Sequence, residues 1–133
     1  MGLATVKAAI RAGVTAECDS VRTVLSTPPI KPPAASTLPV AFIDRVTVAV
    51  GGGLYDTFDE AGQTVEARLI VLIEPVRLDG YGETAIDAVA EDLLDWLDGT
   101  PHNATVTAGD RYSVGETEYR AVVSIVRVAD DLV

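Results

Sequence analysis

Two segments of this chain are apolar on both faces of an extended strand, and that limits the fold more than any other feature. In "TVEARLIVLIE" (64–74), Val65, Ala67, Leu69, Val71 and Ile73 share one face. Ile70 and Leu72 make the far end of the opposite face apolar as well. In "TEYRAVVSIVRVA" (117–129), Tyr119, Ala121, Val123, Ile125 and Arg127 take one face, and Val122, Val126 and Val128 the other. Successive strand side chains point to opposite faces, so strands of this kind belong in the middle of a sheet with material on both sides. Val123 and Ile125 are expected in the core on this reading.

The remaining segments supply the partners. Leu3, Val6, Ile10, Val14, Cys18, Val21 and Leu25 recur at spacings of three and four, which predicts an amphipathic helix over 3–25. Gly13 inside it costs about 1 kcal/mol relative to Ala and marks a place to bend. Thr27-Pro28-Pro29 ends it, because proline lacks a donor and disfavours helix in the residue before it. "VAFIDRVTVAV" (40–50) reads as a strand interrupted by Asp44 and Arg45. A Gly-rich connection joins it to the 64–74 strand. "ETAIDAVAEDLLDWLD" (83–98) is a second helix with Ile86, Val89, Ala90, Leu93 and Leu97 on its apolar arc, stopped by Gly99 and Pro101. "ATVTA" and "RYSV" are short strands, and Gly115-Glu116 suits a turn into the last one. The predicted fold is a single α+β domain over 1–133. It has a mostly antiparallel sheet of four to five strands, two main helices packed on it, and the order α-β-β-α-β-β(-β).

The chain has 133 residues, a formal net charge of −10 and 48% apolar residues. That suffices for one core and argues against wrapping nucleic acid, which needs Lys and Arg on phosphates. A duplex passing through without adhering remains compatible. The opening residues lack the long apolar stretch of a signal peptide, and no apolar run reaches the length of a membrane span. The chain is therefore expected to stay where it is made, without a membrane partner. Cys18 is the one cysteine; it sits on the apolar stripe and reads as a small buried hydrophobe.

Catalytic and metal signatures are weak. "VGGGLYD" lacks the Lys and Ser/Thr of a phosphate-binding loop, and "DEAGQ" and "DLLD" match no calcium loop. His102 stands alone beside Pro101, without an orienting partner. No enzyme activity, cofactor or metal is expected. Two features remain. Glu83, Asp87, Glu91 and Asp95 fall every four residues along the second helix, with no Lys or Arg between 79 and 98. This is either the solvated face of an acidic protein or a surface turned to a basic partner or to a channel that repels DNA. The second is a proline-rich arm at 27–39, whose Pro28, Pro29, Pro32 and Pro33 favour extended backbone. It is either an arm laid on a neighbour or a stiff crossover laid along its own sheet.

Taken in order, these features resemble the tail terminator (tail-completion) proteins of long-tailed bacteriophages. The resemblance rests on "VKAAIRAGVTAECDSVRTVL", on "KPPAAS" leading into a strand, and on the Gly-rich connection to "EARLIVLIE". It continues through "AIDAVAEDLLDWLDG" and the closing "GETEYRAVVSIVRV". It implies an α+β subunit assembled in host cytoplasm into a homo-oligomeric ring, hexameric in the family, at the tail or neck of the virion. Such a ring ends tail-tube polymerisation and presents the docking face to the head–tail connector or stopper protein, with DNA passing through the lumen. Under the resemblance Pro28, Pro29, Pro32 and Pro33 become candidate contacts between rings or subunits, as do Asp56, Asp59 and Glu60 of the Gly-rich connection. Glu83, Asp87, Glu91 and Asp95 become candidate lumen or partner residues. Another neck or tail-tube component, such as a head–tail stopper or adaptor, and a small cytoplasmic ligand-binding α+β domain are the rival readings.

Overall fold

A computed structural model describes residues 3–50, 63–76, 83–99 and 103–129. The elements run α1 (Leu3–Glu17), β1 (Thr23–Val24), a short 3-10 turn at Ala35–Thr37, β2 (Val40–Val50), β3 (Gln63–Pro75), α2 (Glu83–Asp98), β4 (Asn103–Val114) and β5 (Thr117–Ala129). They form a five-stranded sheet in the order β1-β2-β3-β5-β4. Every pairing is antiparallel except the short β1, which lies parallel to β2. The fold is α+β with two helices, as expected.

Three expected boundaries move. The first helix ends at Glu17, not Leu25: Asp19 and Ser20 make a turn, and the β-branched run from Val21 leads into β1. Val21 and Leu25 fit a helical spacing by coincidence, because the partner of β1 lies further along the chain and leaves no local signal. Gly13 does not bend α1. A Cβ there would sit 2.3 Å from the Trp96 ring, so the missing side chain lets α2 approach α1 closely. The two expected short strands are one strand, β4, carrying a bulge between Thr107 and Asp110 where Gly109 takes φ +82°.

Both helices cover one face of the sheet. Val6, Ile10, Val14 and Cys18 on the α1 side meet Ile86, Val89, Leu93 and Leu97 of α2 over Leu69, Val71, Val122 and Val126, all buried. Asp92 ties the layer together by accepting from the Ser20 N–H (3.0 Å) and Oγ (2.5 Å).

Among the described residues, the opposite face is covered at one end only, by the proline-rich segment. Parallel neighbours such as β1 and β2 need a crossover of a dozen or more residues; here residues 25–39 supply it without a helix. The segment lies across the sheet and reaches the β4–β5 turn. There Pro32 Cδ lies 3.7 Å from where a Gly115 Cβ would be. Gly115 itself, at φ +60°, takes the first central position of the two-residue turn, which glycine fills without strain. Leu25 and Leu38 pack on a second buried cluster of Val40, Phe42, Ile70, Leu72, Val114, Tyr119 and Ala121. The return is pinned to β1 by Arg22 Nη1 to Ser36 O (2.9 Å) and Thr23 Oγ1 to Thr37 O (2.9 Å). The Leu38–Pro39 peptide is cis. The segment is thus a crossover laid along its own sheet, with Pro28 and Pro32 exposed on its outer side. It also explains the apolar far end at Ile70 and Leu72, both fully buried.

Candidate functional site

Beyond the crossover, the same sheet face is open. Its strands carry Arg45 and Thr47 on β2, Glu66 and Arg68 on β3, Val123, Ile125 and Arg127 on β5, and Thr105 on β4. Two shallow concavities lie here. One, of about 150 Å³, is lined by Glu66, Ala104, Thr105, Ile125 and Arg127. The other, of about 70 Å³, is lined by Arg45, Thr47, Glu66, Arg68 and Ile125.

This placement corrects one expectation. Val123 and Ile125 are only half-buried, on the open face. The core of β5 is its other face, where Val122, Ser124 and Val126 are fully buried under the helices. Alternation separated the two faces correctly but could not tell which one the helices choose.

The border between covered and open halves is a charged cluster. A bulge between Ile43 and Arg45 opposes two β2 residues to Arg68 and turns Asp44 onto the open face. Arg68 grips the Asp44 carboxylate with two parallel donors, Nε to Oδ1 at 2.8 Å and Nη2 to Oδ2. The Asp44 side chain is 8% exposed and that of Arg68 32%. Tyr112 donates its hydroxyl to Asp44 Oδ2 at 3.3 Å and meets the Phe42 ring edge-on at 5.5 Å. The hydrogen bond to Asp44 pushes the Arg68 pKa up. Burial, then the Asp44 charge, pushes the Tyr112 phenol up. Both groups therefore stay protonated at neutral pH, and the cluster is a fixed polar seam rather than a proton shuttle. Further out, Arg127 Nε donates to Glu66 Oε2 at 2.8 Å in an exposed pair. Arg45 is exposed and pairs with no described residue. The sequence hinted at the seam only through Asp44-Arg45 breaking an apolar strand; the partners, 24 and 68 positions away, leave no local mark.

The residues singled out from the sequence do not converge. Pro28 and Pro32 are exposed and Pro29 and Pro33 half-buried, on the crossover. Asp87, Glu91 and Asp95 are exposed on α2, on the helix side of the sheet. Asp56, Asp59 and Glu60, and the side chain of Glu83, lie outside the described residues. A third hollow, of about 300 Å³, opens at the ends of both helices beside Glu17, Asp95, Trp96 and Gly99. Cys18 is 1% exposed, and burial, aided by Asp92, Glu17 and Asp19, pushes its thiol up to about 12, so it is no nucleophile. Among the described residues there is no group of three or more His, Cys, Asp or Glu side chains placed to hold a metal ion. None of the described helices is long and apolar enough to cross a membrane. No protein-family model matches the chain, and no curated protein matches it.

Proposed function

We propose that this chain is a structural virion protein, a ring subunit at the top of a phage tail tube that ends tube growth and offers the head-docking face. The observation that carries this reading is the half-covered sheet. One face is closed by two helices; the other is closed at one end by the crossover and open at the other. There half-buried Ile125 sits among Arg45, Arg68, Arg127 and Glu66, next to Val123, which packs on the crossover cluster. Apolar side chains framed by charges on a broad, shallow surface suit contact with another protein better than enclosure of a small molecule. The α+β order of the subunit agrees with the resemblance. The implied partners are further copies of the chain, the tail-tube protein and the head–tail connector or stopper, with DNA only as cargo through the lumen.

Electron microscopy of particles made without the protein tests this. Overlong tails are expected. Normal tails with heads that leak DNA would replace the terminator by a head–tail stopper or adaptor. Normal particles would remove the virion role.

A further inference from the structure

Among the described residues, the sheet ends in two edges without a strand partner. β1 pairs with β2 only at Val40 and Ala41, and no described strand pairs with the rest of that side of β2. The outer side of β4 likewise has no described partner along Asn103–Val114. The direction of the free groups follows from the ladders. The Ala41 carbonyl accepts from Leu25 N at 2.8 Å and so points toward the β1 side. Ala41 faces Val71, and bonded and non-bonded pairs alternate along an antiparallel ladder. Leu69, Ala67 and Val65 therefore face residues whose N–H and C=O turn outward: Ile43, Val46 and Val48. On β4, the two-residue turn makes Val114–Thr117 a bonded pair. Counting back through the bulge turns the backbone of Ala104 and Val106 outward.

Natural edges are guarded by charged side chains, proline or bulges, and the bulges at Ile43–Arg45 and Thr107–Asp110 guard one end of each edge here. Val46, Thr47 and Val48 carry none of these.

We propose that copies of this chain join through these edges, β2 of one against β4 of the next, extending the sheet from subunit to subunit. Three properties fit. β2 and β4 run in opposite directions within one sheet, so the joint is antiparallel like the ladders around it. Pairing Val48 with Val106 keeps both faces continuous: Val46 and Val106 belong to the helix side, Thr47 and Thr105 to the open side. The same register aligns the two bulges and brings Arg45, which pairs with no described residue of its own chain, beside the exposed Asp110 of the neighbour. The contact is head-to-tail, which closes into a ring when the rotation per subunit allows and otherwise grows as a fibre. The joint stands on the edges themselves; its closure into a ring rests on the tail reading above.

A disulfide trap tests it. Thr47 and Thr107 are exposed and face each other directly in this register, as a non-bonded pair. Within one chain β2 and β4 are three strand spacings apart, about 14 Å, against roughly 7 Å at most between Cα atoms for a disulfide. The variant T47C/T107C can therefore cross-link only between copies, and buried Cys18 stays silent. The sample is concentrated protein and, in parallel, assembled particles, oxidised and run without reductant. The expected result is a ladder of covalent multimers ending at the ring number, with each single variant giving dimers at most. Rings in wild-type particles without a ladder in the double variant would overturn the edge joint and leave the tail reading standing. A ladder in solution with no protein in particles would support the joint and remove the tail reading. Absence of both would overturn both. R45D and D110R should each lower the cross-linking yield by about two- to fivefold and restore it together.

Discussion

The two faces of the sheet are made by the same strands, yet they are closed in different ways. Under the helices, Val65, Ala67, Leu69 and Val71 of β3 and Val122 and Val126 of β5 are almost fully buried and apolar, with Ser124 the buried polar residue among them. Under the crossover, burial stops abruptly: Tyr119 and Ala121 are buried, Val123 and Ile125 only half so. Helices bring a continuous apolar stripe. An extended proline segment brings isolated contacts, here Leu25 and Leu38. Among the described residues, a sheet face closed by a strap is therefore closed only where the strap lies.

The strongest test of that contrast is a matched pair on β5. Val122→Asp places a carboxylate in the helix-covered core, where an unpaired charge costs several kcal/mol, a large part of a typical domain's stability of roughly 5–15 kcal/mol. No soluble folded protein is expected. Ile125→Asp, on the open face beside Arg68 and Arg127, should fold with a melting temperature within a few degrees of wild type. Circular dichroism melts of the two decide. An unfolded Ile125→Asp would mean that the open half is core after all.

The crossover is the next place to press. Leu38 is half-buried against Phe42 and its neighbours, so Leu38→Ala should cost about 1–2 kcal/mol in urea denaturation, below the range for fully buried leucines. Ile30, 91% exposed on the same segment, should change by less than about 0.5 kcal/mol on truncation. Equal effects at the two positions would break the distinction between the inner and outer sides of the strap. Replacing Pro28–Pro33 with a flexible linker should lower stability less than Leu38→Ala does, because Leu25 and Leu38, which close the far end of the sheet, lie outside the replaced stretch.

How much of this was legible in the sequence depends on the range of the interaction. The β2, α2 and β5 spans were readable because alternation and helical period are local. The end of α1 was not, since what stops the helix is a pairing of Thr23 and Val24 with residues 40 and 41. The choice between Val122 and Ile125 as core depends on which side the helices take, and both faces of β5 are apolar. Gly13 is legible as a weak point for a helix, but the close helix approach it permits is not, because Trp96 lies far along the chain. Of the proposed contact residues, the exposed carboxylates of α2 could be read from spacing. The Asp44–Arg68–Tyr112 seam needed the bulge, which composition does not encode.

Cys18 sharpens the comparison from the buried side, through pH. Its thiol, ordinarily near 9.0, is held up to about 12 in the folded chain by burial and the nearby carboxylates. The stabilisation from keeping it protonated is complete below pH 9. Above that the unfolded chain ionises while the folded one does not, and stability is lost progressively until about pH 12. At pH 10 the loss is about 1.4 kcal/mol. Relative to wild type, Cys18→Ala should flatten stability over this window; Tyr112 and Tyr119, whose pKa values are also raised, contribute a common slope to both proteins. Parallel curves for the two proteins would mean that Cys18 is accessible in the native state.

The smallest expected effect belongs to the outer face of the helix layer, where the contrast turns from packing to charge. Asp87, Glu91 and Asp95 are exposed at successive i,i+4 positions, following Glu83 in the sequence. Reversing Asp87 and Glu91 to Lys converts two of the three like-charge spacings into opposite ones and leaves one repulsive. Each such pair is worth roughly 0.2–0.5 kcal/mol of either sign, so converting two of them should raise the stability of the isolated subunit by about 1 kcal/mol, and the gain should vanish in 1 M salt, where the screening length is about 3 Å. A subunit that loses stability would show that these carboxylates are used within the fold, as Asp92 is with Ser20. In particles the same variant separates three roles. Slow or incomplete DNA release with normal assembly means that the stripe lines the passage. Tails that no longer join heads mean that it meets a basic partner. Normal infectivity leaves it as a solvated face whose only work is to hold the net charge of the chain far from zero.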